Sequence, residues 1–190
     1  MVVNILTQNS VGAYYRFFGA RHSILQLGYL IDFEIEQDRA NFLPRLRNLS
    51  HIGFPWLYDK DRLLSWHRFI SIFYPHFAGV EKIDGIYFDT LLNSAKIWNK
   101  QSPKRVAIEA YCKILAYEGR LNNLNNCVMC NKSLQNEVSL INKFLPTHPS
   151  CSKKRGIKKE KIEYLFKNFS TLLLEDDEIK DLIAIVYKGF

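Results

Sequence analysis

Apolar and polar residues alternate along the first third of the chain, which is the pattern of β-strands with one buried face. The alternation is clearest over residues 25–36, where only Leu30 breaks it. Shorter β-branched or aromatic runs lie at residues 2–7 and 13–19, and residues 44–54 are a weaker strand candidate. Short strands with glycines between them predict a small β-barrel.

After Pro55 the apolar residues recur every three or four positions, which predicts amphipathic helices. The first helix is expected to begin near Asp59 and to end or kink at Pro75, because proline lacks the backbone donor of a helix interior. A second apolar stripe covers residues 87–98, with Asp84 as its N-cap.

The second half of the chain continues the helical pattern. Ser102 as a cap and Pro103 at the first helical position open a helix that Gly119 closes. Two more helices are expected near residues 157–168 and 176–187.

The change of period near residue 55 marks a domain boundary. We predict an α+β protein with a β-barrel over residues 1–55 and a helical domain over residues 56–190. A chain of 190 residues suits one large domain or two small ones, and 47% apolar residues indicate a packed core.

The charge balance favours an anionic partner. The chain has 26 basic and 19 acidic residues, giving a net charge of +7 that fits nucleic acid or lipid headgroups. No apolar run approaches the ~18 residues of a membrane span, and the N-terminus lacks the features of a signal peptide. We therefore expect a cytoplasmic protein without a membrane partner, whose cysteines bind metal rather than form disulfides.

Three cysteines and one histidine form two pairs with the same spacing. Cys127 and Cys130 are the first pair, and His148 and Cys151 repeat the interval. Zn²⁺ prefers these ligand types, and four protein ligands leave no open position for chemistry. We predict one structural zinc ion per chain in a loop at about residues 125–152. The alternative is a set of ordinary thiols beside a surface histidine.

The stretch YYRFFGARHS interleaves four aromatic residues with Arg16, Arg21 and His22. Binding of single-stranded nucleic acid uses aromatic faces to stack on bases and guanidinium groups to bind phosphates. We predict DNA contacts from these three polar side chains. The alternative is that the aromatic residues belong to the barrel core.

The densest basic run, KKRGIKKEK, begins at residue 153, directly after the predicted metal loop. Such a run can bind phosphates without reading base sequence. The alternative is a solvated helix start, although lysines at that position oppose the helix dipole. The DNA-binding candidates in this run are Lys153, Lys154, Arg155, Lys158 and Lys159.

The sequence offers no converging catalytic site, so we expect a non-catalytic protein. Asp32, Glu34 and Glu36 fall on one face of the predicted third strand, about 7 Å apart. A solvated strand face explains them better than a two-metal nuclease site, whose carboxylates converge from several elements. The sequence contains no glycine-rich nucleotide motif.

The stretch LAYEGRLNNLNNCVMC resembles the bacterial recombination mediator family RecO. In that family a leucine-rich helix ends in glycine, and a leucine-containing linker leads into the CxxC pair. The matching positions here are Ile114, Leu115, Gly119, Leu121, Leu124, Cys127 and Cys130. The stretch YRFFGARHSILQLGYLIDFE is similar to the barrel of the short members of the family.

The resemblance implies an OB-fold barrel followed by a helical domain with an inserted zinc loop. It implies binding of single- and double-stranded DNA, annealing of complementary strands and a place at the nucleoid. The implied partners are the C-terminal tail of the single-strand-binding protein and RecR. RecA is an indirect partner, because the protein and RecR together help to load it onto single-stranded DNA.

The sequence departs from the family pattern in three places. His148 stands where cysteine is usual, and Asn131 where glycine is usual. Four strand candidates stand where an OB fold has five, so either a strand is missing or the third segment bends to serve twice. Two other functions stay open: a zinc-containing regulator that reads nucleic-acid sequence, and a protein-interaction adaptor.

Overall fold

The computed structural model describes residues 1–17, 24–37 and 42–190. The chain divides into two compact units, Met1–Lys96 and Ile97–Phe190, which we call unit 1 and unit 2. Unit 1 combines a sheet with helices, and unit 2 combines helices with a smaller sheet. The predicted α+β class is confirmed.

Unit 1 is built on a four-stranded sheet with the order β1-β2-β4-β3. Its strands are β1 (Val2–Leu6), β2 (Val11–Tyr15), β3 (Leu30–Glu36) and β4 (Arg45–Ile52). β1 pairs with β2 and β3 pairs with β4, both antiparallel. A single parallel pair, Tyr15 opposite Arg45, joins the two halves. The four predicted strands are therefore all present.

The third strand is shorter than predicted, because β3 begins only at Leu30. Gly28 has a φ of +75°, a left-handed conformation that ends extended chain. The indole Nε1 of Trp66 donates a hydrogen bond to the Gly28 carbonyl at 2.9 Å, and Leu27 is 47% exposed. The prediction of a strand from residue 25 was wrong. The apolar and polar residues before Leu30 alternate as in a strand, but they form a turn that is hydrogen-bonded to Trp66.

The turn at Gly28 gives a stability prediction. A Cβ atom there would lie 2.5 Å from Nε1 of Trp66, and the left-handed backbone also disfavours any other residue. We expect Gly28→Ala to lower the free energy of unfolding of unit 1 by about 1–3 kcal/mol, measured by denaturant titration. Gly53→Ala is the matched control, because nothing lies within 4 Å of its added Cβ. Equal losses in the two variants would contradict the prediction.

The helices of unit 1 are α1 (Lys60–Ser71), α2 (Phe73–His76) and α3 (Gly85–Ile97). The Asp59 carboxylate accepts the backbone N–H groups of Asp61 and Arg62 at 3.0 and 3.2 Å, which confirms the predicted start of α1. The helical run breaks after Ser71, and Pro75 lies within the short helix α2. The predicted interruption near this proline is confirmed.

Aromatic side chains form much of the core of unit 1. The rings of Phe69 and Phe73 meet edge to face at 5.4 Å, and Phe69 lies 6.0 Å from Trp66. The Trp56 indole donates to the Ala95 carbonyl at 2.7 Å, which ties the residues before α1 to α3. The apolar stripe predicted from the sequence therefore faces the interior.

The helices of unit 2 are α4 (Pro103–Tyr117), α5 (Pro149–Ser152), α6 (Lys159–Asn168) and α7 (Asp176–Val186). α4 is the central helix, with Ile108, Tyr111 and Leu115 fully buried, and it packs against α6 and α7. Pro103 opens α4, and Gly119 follows it with a φ of +67°. The predicted bounds of this helix are confirmed, but the side chain of the predicted cap Ser102 makes no capping hydrogen bond.

A second sheet, which the sequence pattern did not predict, is formed by the part of the chain between α4 and α6. Its central strand β5 (Glu137–Ile141) is antiparallel to β6 (Leu145–Thr147) and to β7 (Ile157–Lys158). β7 passes directly into α6, so the helix expected from residue 157 begins at Lys159. Strands of five, three and two residues are too short to give a readable period.

The compact unit that holds the first sheet extends to Lys96 and so includes helices α1 and α2. The domain boundary predicted near residue 55 remains a prediction. In the part of the chain that the structure describes, every helix is too short or too polar to cross a membrane.

Candidate metal centre and basic surface

The four predicted ligands come together in unit 2. The N–H of Cys127 donates to the Lys132 carbonyl and the N–H of Asn131 donates to the Cys127 carbonyl, both at 2.9 Å, which closes a tight turn. Asn131 has a φ of +58°, a left-handed conformation that asparagine tolerates well. We call residues 127–132 the knuckle turn. Ligand atoms within 4.8 Å of one another come from Cys127, Cys130, His148 and Cys151, which we call the metal centre.

The His148 ring is oriented for metal binding. It lies between β6 and α5, where its Nε2–H donates to the Ser133 carbonyl at 3.0 Å and leaves Nδ1 as the free lone pair. Nδ1 lies 3.4 Å from Sγ of Cys130 and 3.8 Å from Sγ of Cys151. A tetrahedral site with Zn–S of about 2.3 Å and Zn–N of about 2.0 Å has S···N edges of about 3.6 Å. The observed distances lie on either side of that value.

The electrostatics of the metal centre favour a cation. Burial raises the pKa of the Cys127 thiol, but backbone N–H groups of the two turns outweigh it and lower the pKa to about 6. Burial and the neighbouring sulfurs of Cys130 and Cys127 raise the pKa of Cys151. Several thiolates this close repel one another, and a divalent cation removes that repulsion.

The donor set therefore fits a metal ion held by three thiolates and one imidazole. Four protein ligands would complete a tetrahedral shell, which is the arrangement of structural rather than catalytic zinc sites. Cys112 stands apart in the core of α4, where it is fully buried, and burial raises the pKa of its thiol to about 12. The prediction of the four clustered residues agrees with this geometry, and the identity of the metal belongs to the proposal below.

The basic run after Cys151 is fixed to the second sheet. The buried Ser139 hydroxyl donates to the Arg155 carbonyl at 2.7 Å. Nζ of Lys159 donates to the Leu134 carbonyl at 3.3 Å, just beyond the knuckle turn, and Arg155 pairs with Asp177 at 3.3 Å. The basic side chains that the run exposes are those of Lys153, Lys154, Arg155 and Lys158, beside exposed Glu160. The chain thus presents charge from a fixed loop.

Of the three DNA contacts predicted in the N-terminal part, only Arg16 lies among the described residues. Nη1 of Arg16 donates to the Leu46 carbonyl at 3.4 Å, so this guanidinium is engaged within unit 1. Arg21 and His22 lie outside the described residues. The DNA contacts predicted for these three residues remain predictions.

Two of the three carboxylates predicted on one face of β3 form surface pairs. Glu36 binds Nε of Arg47 at 2.6 Å, and this hydrogen bond lowers the pKa of the Glu36 carboxyl. Glu34 accepts a hydrogen bond from Nδ2 of Asn48 at 2.6 Å. These pairs support the solvated face that we preferred to a nuclease site.

The excess positive charge is concentrated in one segment of the chain, which the sequence analysis did not identify. Eight of the 26 basic residues but only one of the 19 acidic residues, Glu137, lie between Gly119 and Lys159. This leaves 18 of each sign elsewhere, so the whole net charge of +7 belongs to this basic segment. The basic segment contains the metal centre and includes exposed Lys132, which we had not singled out. Charge counted in windows rather than over the whole chain would have found it.

The comparison with protein families gives a match that covers the N-terminal part of the chain. Residues 1–57 match the RecO N terminal family. These residues hold all four strands of the unit 1 sheet, so the first part of the chain is RecO-like and its fold is OB-like. A search of the curated proteins found no match.

Proposed function

We propose that the protein is a non-catalytic DNA-binding mediator of recombination and repair, and that its basic segment is the main DNA-binding surface. The observation that carries this proposal is the confinement of the net charge to the residues folded around the metal centre. The N-terminal match to the RecO family supports a role in DNA repair. Binding through phosphates explains how such a surface accepts both single and double strands.

The metal is proposed to be one structural Zn²⁺ ion. The Cys₃His donor set and the S···N distances support this choice, since zinc prefers sulfur and imidazole ligands in a tetrahedral arrangement. The ion would hold the knuckle turn against the start of α5 and thereby set the position of the lysines that follow. It would supply no chemistry beyond this folding role.

The partners proposed from the resemblance are RecR, RecA through loading, and the acidic tail of the single-strand-binding protein. A small cavity of about 300 Å³ in unit 2 has the chemistry for such a tail. Leu140, Ile157 and Leu182 line it. The positive charges of Lys154, Arg155 and Lys188 outnumber the one carboxylate, that of Asp181. Action at the nucleoid in the cytoplasm follows from this assignment.

Annealing of complementary strands tests the proposed function. The basic segment and the predicted contacts of Arg16 and Arg21 would each hold one DNA strand, which lowers the repulsion between two polyanions. We expect annealing of oligonucleotides, bare or coated with single-strand-binding protein, to proceed without ATP. Lys153→Glu and Arg21→Glu, made separately, should each slow annealing more than they weaken binding to one strand.

The outcomes separate the open functions. Annealing at the parent rate in both variants, or a need for ATP, would refute the mediator proposal. Preference for a selected oligonucleotide over random sequences at matched salt would indicate a sequence-reading regulator. Absence of binding to any polynucleotide at low salt would indicate a protein-interaction adaptor.

A further inference from the structure

Two apolar side chains face solvent at the tip of the knuckle turn. Val128 and Met129 lie between the ligands Cys127 and Cys130 and are 47% and 58% exposed. Valine and methionine are among the residues most often buried in folded proteins. Two adjacent exposed apolar side chains on this turn are therefore available to contact a partner.

The tip is fixed by backbone hydrogen bonds. The N–H of Val128 donates to the Pro146 carbonyl of β6 at 3.0 Å, and the N–H of Leu134 donates to the Asn125 carbonyl at 2.7 Å. An isolated bridge between Asn126 and Ser133 adds a further link across the base of the turn. Because the turn is already held in place, its apolar side chains can bind a partner with little loss of conformational entropy.

The surroundings of the tip select a polyanion. Residues 119–136 contain no acidic residue, and Lys132 is exposed two positions after Cys130. The hydrogen bond from Lys159 to the Leu134 carbonyl brings a second ammonium group to the base of the turn, and this group also lies 3.9 Å from the Glu163 carboxylate. An apolar tip flanked by cations matches the composition of DNA, whose apolar base faces lie between charged phosphates.

We propose that Val128 and Met129 form an apolar wedge that enters between neighbouring bases of DNA while the flanking lysines bind phosphates. This inference rests on the proposed DNA-binding function and deepens it. Apolar wedges partly unstack a base step, and unstacking costs least where bases are unpaired. The ligand class is therefore single-stranded or mismatched DNA rather than uniform duplex.

The test uses the full chain and a single-stranded oligonucleotide that carries 2-aminopurine, whose emission rises when its neighbours unstack. We expect the parent protein to raise the emission. Val128→Ala combined with Met129→Ala should abolish most of the rise and lower affinity about fivefold, because apolar burial is lost. The salt dependence should not change, because no charge is removed.

Two control variants keep the test decisive. Met129→Leu should retain the rise, because leucine is also apolar and of similar size. Leu172→Ala removes a side chain that is 74% exposed outside the basic segment and should change nothing. Parent-like emission and affinity in the double alanine variant would overturn the wedge, as would binding by the parent without any rise. Absence of any DNA binding by the parent would instead refute the proposed function.

Discussion

Replacing Cys127 by Ser will release the metal and unfold the metal centre while leaving unit 1 intact. The thiolate of Cys127 is buried among backbone donors, and serine is a poor zinc ligand. Loss of the ion removes the link between the knuckle turn and α5, while the buried core around α4 stays packed. We expect unit 2 to lose about 2–4 kcal/mol of unfolding free energy, which lowers its melting temperature by roughly 10–20 °C.

Metal content and thermal unfolding measure this effect together. The parent protein, purified without chelator, should contain one zinc per chain, and Cys127→Ser should contain almost none. Cys112→Ala is the matched control, because it also removes a buried thiol but leaves the metal centre untouched. The prediction fails if the parent contains well under one zinc per chain, or if Cys112→Ala loses as much metal as Cys127→Ser.

The second large effect is the dependence of DNA binding on salt. If the basic segment neutralises about four to six phosphates, affinity should fall by roughly two to three decades between 50 and 200 mM salt. Lys132→Glu combined with Lys153→Glu should reduce the slope of log affinity against log salt by about two. Fluorescence anisotropy with a labelled oligonucleotide over a salt series measures the slope.

A matched pair of charge reversals tests the location of the surface. Lys100→Glu combined with Lys180→Glu changes the net charge by the same amount at exposed positions outside the basic segment. We expect this control to keep the parent slope. A flat salt response of the parent would reject phosphate binding. Equal slopes in the two double variants would show that net charge, rather than the basic segment, attracts DNA.

The metal centre and the start of α1 could be predicted because short-range chemistry specifies them. The paired spacing of the four ligands needs only two tight turns, and Asn131 supplies the left-handed residue that the first turn requires. Asp59 accepts two backbone donors within three residues of itself. Interactions of this range depend little on the rest of the fold.

Features that depend on distant contacts could not be predicted. Residues 25–29 alternate like a strand, but the hydrogen bond from Trp66 to Gly28 spans 38 positions and turns the chain instead. β7 has two residues and exists only because β5 offers it a partner. The engagement of Arg16 by the Leu46 carbonyl likewise depends on the packing of strands that are remote in sequence. Periodicity carries no information about such pairings.

The reaction rates of the four cysteine thiols can distinguish opening of the metal centre from unfolding of unit 2. Cys112 is sealed in the core of α4 with a pKa of about 12, whereas Cys130 is exposed. A thiol reagent added with a chelator should therefore modify three cysteines quickly, as the metal centre opens, and the fourth only when the helical core of unit 2 unfolds. The two rates, read from the same reaction by mass spectrometry, separate the lifetime of the metal centre from that of the core around α4.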